Sequence, residues 1–249
     1  MLLKKWEKLP PGMQTDEVRK YYDILKKKQF ALFWKRVSDI VVSFLMLVVL
    51  LPLFLILAVA IKLDSKGPVF YRQIRVTQYG RRFRIFKFRS MVRDADKGSL
   101  VTVQGDARIT RTGRFIRRFR LDEISQLINV LKGDMTFVGT RPEVPRYVEQ
   151  YTPEMMATLL LPAGVTSLAS IYYKDEAELL DAAEDADKLY IEKILPGKMY
   201  YNLREIERFH CGAGIRVMFM TVFAVCGKKY RDGQESPEEK TEREYVNHG

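Results

Sequence analysis

Histidine and cysteine are nearly absent: the 249 residues include only His210 and His248, and only Cys211 and Cys226. Two histidines exclude a histidine-rich metal centre and a histidine-based catalytic triad. The two cysteines lack zinc-site spacing and cannot build a disulfide framework, so free thiols in a reducing compartment are expected. Acidic residues are also in deficit, 31 against 42 Lys and Arg, which leaves a net charge of +11. That excess has three natural counterparts: nucleic acid, an anionic membrane surface, or phosphorylated small substrates. With histidine and cysteine scarce, catalysis falls to carboxylates, lysine, arginine or hydroxyls. No internal repeat is visible, and a 47% hydrophobic composition suffices for one sizeable core.

What the chain does have is one long uncharged run. From Ile40 to Ile61 it reads IVVSFLMLVVLLPLFLILAVAI, long enough to cross a hydrocarbon layer. It starts too late and runs too long for a cleavable signal peptide, and no small-residue cleavage site follows. Both flanks are basic: Lys26, Lys27, Lys28, Lys35 and Arg36 before, Lys62, Lys66, Arg72, Arg75, Arg81 and Arg82 after. Basic flanks mark the cytoplasmic side, so a straight span would force one of them across. A hairpin entering and leaving on the same face satisfies both. Pro52, mid-run, removes a backbone donor and favours the break, with Ser43 available to the freed groups. A re-entrant helix–break–helix is therefore expected, ahead of a kinked span.

Around this anchor the chain divides into an N-terminal extension (1–30), the re-entrant anchor (31–63), a catalytic domain (64–227) and a charged tail (228–249). The fold class expected is α/β but helix-dominated, with interfacial amphipathic helices and a few short strands. Thr15 and Asp16 cap a helix through DEVRKYYDILKKK; its lysines and aromatics suit an interfacial position and equally a soluble surface helix, and residues 1–30 stay open between an oligomer contact and a second interfacial anchor. Short strands are expected at Val69–Tyr71 and Phe83–Phe88, turning at Tyr79–Gly80. Further helices are expected over Leu121–Leu131, stopped by Gly133, and over Asp175–Leu195, stopped by Pro196. Ile215–Val225 is too short to span, and the chain beyond Gly227 reads as disordered.

The chemistry concentrates in RFIRRFRLDEISQLINVLKGDMTFVGTRP, Arg114 to Pro142. Arg114, Arg117, Arg118 and Arg120 immediately precede Asp122 and Glu123. If Leu121 opens a helix, both carboxylates sit in its first turn, an arrangement that helix stability alone would explain. The arginines add a phosphate site and keep an aspartate ionised and able to attack phosphorus. Adjacent helical residues point about 100° apart, so a shared-proton dyad is excluded. Separate roles follow: one nucleophile, and one ligand for a hard cation such as Mg²⁺.

That block resembles the signature of the bacterial sugar transferase family, the monotopic polyprenyl-phosphate phosphoglycosyl transferases. KRVSDI before a proline-centred hydrophobic segment, then GPVFYRQIRV and FRIFKFRSM, extend the resemblance over roughly residues 33–226. It implies Asp122 as the nucleophile on the sugar-linked phosphorus of a UDP-sugar and Glu123 as a Mg²⁺ ligand. UMP would leave, and polyprenyl (undecaprenyl) phosphate would accept the phosphosugar. Lys87, Arg89, Arg117, Arg141 and Pro142 fall in matching blocks as substrate-binding residues, and Pro52 matches the kink of a re-entrant helix. Departures are Thr140 where the family commonly has proline, Ala163 within the Pro-Gly-Ile-Thr-Gly block, Lys174 as nearest equivalent of an arginine, and Gly214 near a usual aspartate. A lysine lacks the bidentate fork of arginine. The implied setting is the bacterial inner membrane with the catalytic domain facing the cytoplasm.

RRFRIFKFRS (Arg81–Ser90) interleaves aromatics and cations as nucleic-acid binders do. Beside a membrane, packing of the aromatics with cations facing lipid phosphate is the better reading, and nucleic acid is not expected as a partner. Glu143 and Tyr147 read as structural before substrate-binding. A homo-oligomer stays open, as does the sugar.

Overall fold

A computed structural model describes residues 3–92, 108–181, 185–225, 227, 228 and 230. The expected disordered tail therefore lies outside the described residues, apart from its first few positions.

The N-terminal segment folds into the body. Two 3-10 turns, Trp6–Lys8 and Pro11–Met13, precede helix α1, Asp16–Lys26. Thr15 starts it as expected, its Oγ1 accepting from the Val18 N–H at 3.4 Å, with Asp16 and Glu17 in the first turn. Val18, Tyr21, Tyr22 and Leu25 recur at helical spacing, and that stripe is buried. It joins Leu3, Leu9 and Met13 against Leu159, Leu160, Leu203, Ile206 and Phe209. Tyr21 donates to Glu154 Oε1 at 2.7 Å. The apolar stripe of α1 is thus covered within the same chain.

Helix α2 spans Gln29–Asp64, and it is continuous. The helix–break–helix expected at Pro52 is not seen as a break in the ladder. Proline deletes a single donor, and the apolar residues on either side keep the remaining bonds. At 1.5 Å per residue its contour is about 54 Å, and it is long and apolar enough to cross a membrane by length and composition. Val41, Phe44, Leu45, Val48, Val49, Leu51, Leu55, Ile56 and Val59 are exposed along it. Both ends are tied to the rest of the protein. Near the start, Asp39 accepts from Thr136 Oγ1 at 2.6 Å and pairs with Lys35 at 3.2 Å. Arg36 donates to the carbonyls of Val130 and Leu131 at 2.8 and 3.2 Å. Near the end, Leu57 and Ile61 pack on Phe88 and Ile116, and Asp64 accepts from the Thr112 N–H at 2.7 Å.

Strands β1 (Phe70–Val76) and β2 (Arg82–Phe88) form an antiparallel hairpin, Phe70 opposite Phe88 and Val76 opposite Arg82. Its turn falls where expected, with Tyr79 and Gly80 at φ 59° and 74°. Helix α3 is Arg111–Arg118 and α4 is Leu127–Lys132, the latter stopped by Gly133 at φ 88° as expected. Strand β3 (Met135–Val138), helix α5 (Pro145–Val148) and strand β4 (Ala163–Thr166) follow, with β3 parallel to β4. A Cβ on Gly164 would lie 2.1 Å from the Gly139 carbonyl oxygen, so only glycine permits that approach. Helices α6 (Leu168–Tyr172), α7 (Glu176–Asp181) and α8 (Ala186–Leu189) lead through a π-helical turn, Tyr190–Ile194, into α9 (Leu195–Glu207) and α10 (Cys211–Val225). Pro196 thus opens α9 instead of closing the preceding helix. Its missing N–H costs nothing in a first turn.

On α9, Glu205 has a buried Oε2 without a hydrogen-bond partner. Burial pushes its carboxyl up to about 7, against the Leu168 N–H and Lys35. The folded state therefore holds a proton that the unfolded chain releases near the ordinary value. Stability is lost as pH rises between about 4.5 and 7, by roughly 3 kcal/mol in all. Glu205→Gln is expected to melt higher than wild type at pH 8 and alike at pH 5. An equal shift at both pH values rules this out.

Candidate active site

Helix α3 ends at an arginine in the left-handed conformation: Arg120 has φ 53°, at a cost of about 1–2 kcal/mol for a non-glycine residue. The Leu121 N–H closes the motif on the Ile116 carbonyl at 2.9 Å. Leu121 therefore does not open the helix expected over Leu121–Leu131. Asp122 and Glu123 lie in the turn that follows, ahead of a 3-10 turn at Ile124–Gln126 and then α4. Glu123 is the residue from which this 3-10 turn and then α4 start, and cationic side chains face the pair.

The turn is stitched to the free edge of β2. The Phe88 N–H donates to the Asp122 carbonyl at 3.0 Å, and Ser125 Oγ donates to the Phe86 carbonyl at 3.1 Å. Asn129 serves as a substitute strand: its Oδ1 accepts from the Phe86 N–H at 2.8 Å and its Nδ2 donates to the Arg84 carbonyl at 3.0 Å. This register sets Lys87 beside the acid pair.

Lys87 Nζ lies 3.2 Å from Glu123 Oε1. Arg141 grips the same carboxylate, one Nη on Oε1 and the other 3.4 Å from Oε2. Burial alone would raise Glu123, but Arg141 and then Lys87 outweigh it and hold the carboxyl far below the usual range. Asp122 goes the other way. Burial, and then the charge of Glu123, raise it, and Lys87 and Arg117 only partly oppose this. The arginine cluster was expected to dominate; desolvation dominates instead, which makes Asp122 more basic than an ordinary aspartate. Among the described residues no side chain donates a hydrogen bond to its carboxylate. Arg117 bonds Ser90 Oγ through Nε at 3.0 Å.

The remaining sequence candidates divide. The Pro142 carbonyl accepts from Arg75 at 3.1 Å, which fixes the backbone beside Arg141. Arg89 does not face the acid pair: it is buried and donates to the Ile61 and Ser65 carbonyls at 3.2 and 2.6 Å. It caps the end of α2, where helix carbonyls lack partners and attract a cation. Lys174 is likewise elsewhere, donating to the Lys228 carbonyl at 3.3 Å. Arg75, which holds the Pro142 carbonyl, was not among the sequence candidates. It reads from the sequence only as one flanking cation, although it belongs to the GPVFYRQIRV block.

Among the described residues no three His, Cys, Asp or Glu side chains cluster as a metal site. A hard cation needing one or two carboxylates still fits. Among the described residues Glu123 Oε2 takes only the 3.4 Å contact from Arg141, and Asp122 is adjacent in sequence.

Paired carboxylates hemmed by lysine and arginine thus lie close to the end of a helix long and apolar enough to cross a membrane. The sequence profile of the bacterial sugar transferases matches residues 30–228, and the chain belongs to that family. It is 34% identical over 195 residues to the UDP-glucose:undecaprenyl-phosphate glucose-1-phosphate transferase of Klebsiella pneumoniae, covering 76% of this chain and 39% of that one. It is 36% identical over 194 residues to the UDP-N-acetylgalactosamine-undecaprenyl-phosphate N-acetylgalactosaminephosphotransferase of Aeromonas hydrophila, covering 76% and 43%. A putative undecaprenyl-phosphate N-acetylgalactosaminyl 1-phosphate transferase of Bacillus subtilis (strain 168) is 45% identical over 122 residues, covering 49% and 68%. The first two matches thus span about two fifths of their relatives' length.

Proposed function

We propose that the protein transfers a sugar-1-phosphate from a UDP-sugar to polyprenyl (undecaprenyl) phosphate, with release of UMP, as a first membrane step of bacterial polysaccharide or glycoconjugate assembly. The observation that carries this reading is the division of labour in the acid pair: Lys87 and Arg141 both bind the Glu123 carboxylate and hold it ionised, while Asp122, raised by burial and by Glu123, accepts no side-chain hydrogen bond among the described residues. In the first step an Asp122 oxygen attacks the sugar-linked phosphorus. The bond from that phosphorus to the bridging oxygen breaks, and UMP departs with the electron pair. In the second step an oxygen of the polyprenyl phosphate attacks the same phosphorus and expels the Asp122 carboxylate, giving polyprenyl diphosphosugar. Lys87, Arg117 and Arg141 supply positive charge to phosphate oxygens. Mg²⁺, when bound, would be held by Glu123 and would neutralise phosphate charge.

The membrane arrangement belongs to the same proposal. Helix α2 would enter and leave on one face of the bacterial inner membrane, bending in the bilayer at Pro52, where the ladder lacks a donor, with the catalytic body in the cytoplasm. The contacts at both ends of α2 with a single body support this, because a transmembrane span would set those ends on opposite sides of about 30 Å of hydrocarbon. The exposed Ile215, Phe219, Val222 and Phe223 of α10 suit the same interface. Single cysteines at positions 27 and 66, in a background lacking Cys211 and Cys226, are expected to react with an impermeant maleimide only from the cytoplasmic side. Labelling from opposite sides defeats the re-entrant reading.

The activity test is UMP release from a panel of UDP-sugars, with purified protein, Mg²⁺ and undecaprenyl phosphate. Release with at least one donor is expected. Silence across a broad panel from folded, membrane-bound protein counts against the transferase reading.

A further inference from the structure

Two residues beyond Arg141, the chain enters a second buried ionic group that the transfer chemistry does not use. Glu143 Oε1 accepts from the Tyr190 hydroxyl at 2.6 Å and lies 3.7 Å from Lys198 Nζ. Lys198 also donates to the Tyr190 hydroxyl at 3.1 Å and to Glu176 Oε2 at 3.0 Å. Glu143, Tyr190 and Lys198 are 6%, 6% and 4% exposed, so water screens them little. Buried ion pairs are weak contributors to stability, and apolar residues of similar volume often serve as well. Their presence therefore calls for another account.

The placement suggests one. The Val76 N–H donates to the Glu143 carbonyl at 3.0 Å, and Arg75 holds the Pro142 carbonyl. The backbone after Arg141 is thus clamped to β1, while the Glu143 side chain is clamped by α9 and the π-helical turn before it. That turn begins at Tyr190. Such turns commonly sit at functional positions, and this one is braced by Tyr147, stacked 4.5 Å from the Tyr190 ring. Arg75 and Arg141 also repel each other, and Glu143 offsets both charges.

We propose that Glu143, Tyr190 and Lys198 form a positioning network that fixes Arg141 against Glu123 and so holds the acid pair in register for phosphoryl transfer. None of the three needs to touch substrate. The catalytic consequence rests on the transferase reading; the fixing of Arg141 does not.

The test uses full-length protein in nanodiscs with Glu143→Gln, Tyr190→Phe, Lys198→Met and the conservative Lys198→Arg. Three quantities are measured: kcat and donor KM for UMP release, melting temperature, and the guanidinium ¹⁵N–¹H signals of Arg141, assigned with Arg141→Lys. Removing a supporting residue of this kind typically lowers activity about 10- to 100-fold. Glu143→Gln and Lys198→Met are expected to lose kcat in that range with donor KM within about twofold. Tyr190→Phe should lose less, and Lys198→Arg should recover most of the loss. The Arg141 signals should broaden and exchange faster in Glu143→Gln at unchanged melting temperature. Wild-type kcat in Glu143→Gln and Lys198→Met, or a loss that only tracks unfolding while the Arg141 signals stay sharp, overturns the proposal. If the wild type releases no UMP from any donor, the transferase reading fails by itself. The Arg141 signals then decide this inference alone: broadened supports it, unchanged overturns it.

Discussion

Asp122→Asn is expected to abolish UMP release, a fall of at least about 10³–10⁴-fold, in a protein that folds as well as the wild type. Loss of an attacking side chain has effects of this size or larger. The amide is nearly isosteric but offers no nucleophilic oxygen anion. It should also be tolerated, because burial and the neighbouring Glu123 already disfavour charge at this position. An unchanged or slightly raised melting temperature is therefore part of the expectation. The measurement is UMP release at saturating donor, with far-UV circular dichroism melting on the same sample. Retention of more than a few per cent of the wild-type rate would move the nucleophile elsewhere, with Glu123 next in line.

Deleting residues 1–26 is expected to leave no folded protein. The family profile begins at residue 30, so comparison alone would class this stretch as an appendage. The packing says otherwise. Leu3, Leu9, Met13, Val18, Tyr21, Tyr22 and Leu25 form one wall of the core that also holds Leu159, Leu160, Leu203 and Ile206. Each large apolar side chain buried contributes about 1.5–3 kcal/mol, so removing this wall forfeits roughly 10 kcal/mol or more. Domains have a net stability of about 5–15 kcal/mol. Size-exclusion chromatography in detergent and thermal melting check it. A truncated protein with wild-type melting and UMP release would make the segment dispensable.

Much of the frame was legible because local chemistry specified it. Thr15 and Gly133 act within a few residues of themselves, and the apolar run at Ile40–Ile61 needs no tertiary context to be read. Asp122 and Glu123 stood out against the arginines, and Lys87 and Arg141 entered through the family resemblance. Legibility failed where a long-range contact decides. Arg120 takes a conformation usually given to glycine, which moves the acid pair off the expected helix. Lys87, in β2, and Arg89, just past its end, are two residues apart, yet Arg89 caps α2 and Lys87 meets Glu123. Their different fates depend on how the end of α2 packs. Pro196 carries the same letter whether it ends a helix or begins one. Tyr190 and Lys198 reach Glu143 only through the folded chain.

The clamping of α2 at both ends has a further consequence. A helix fastened to its body by Asp39 at one end and Asp64 at the other has little freedom to tilt by itself. The whole protein must rock with it, like a keel and its hull. In the membrane arrangement proposed above, the depth to which the apolar part of α2 sinks into the acyl region would set the height of Asp122 above the lipid, and with it the reach of that carboxylate toward a lipid-borne phosphate.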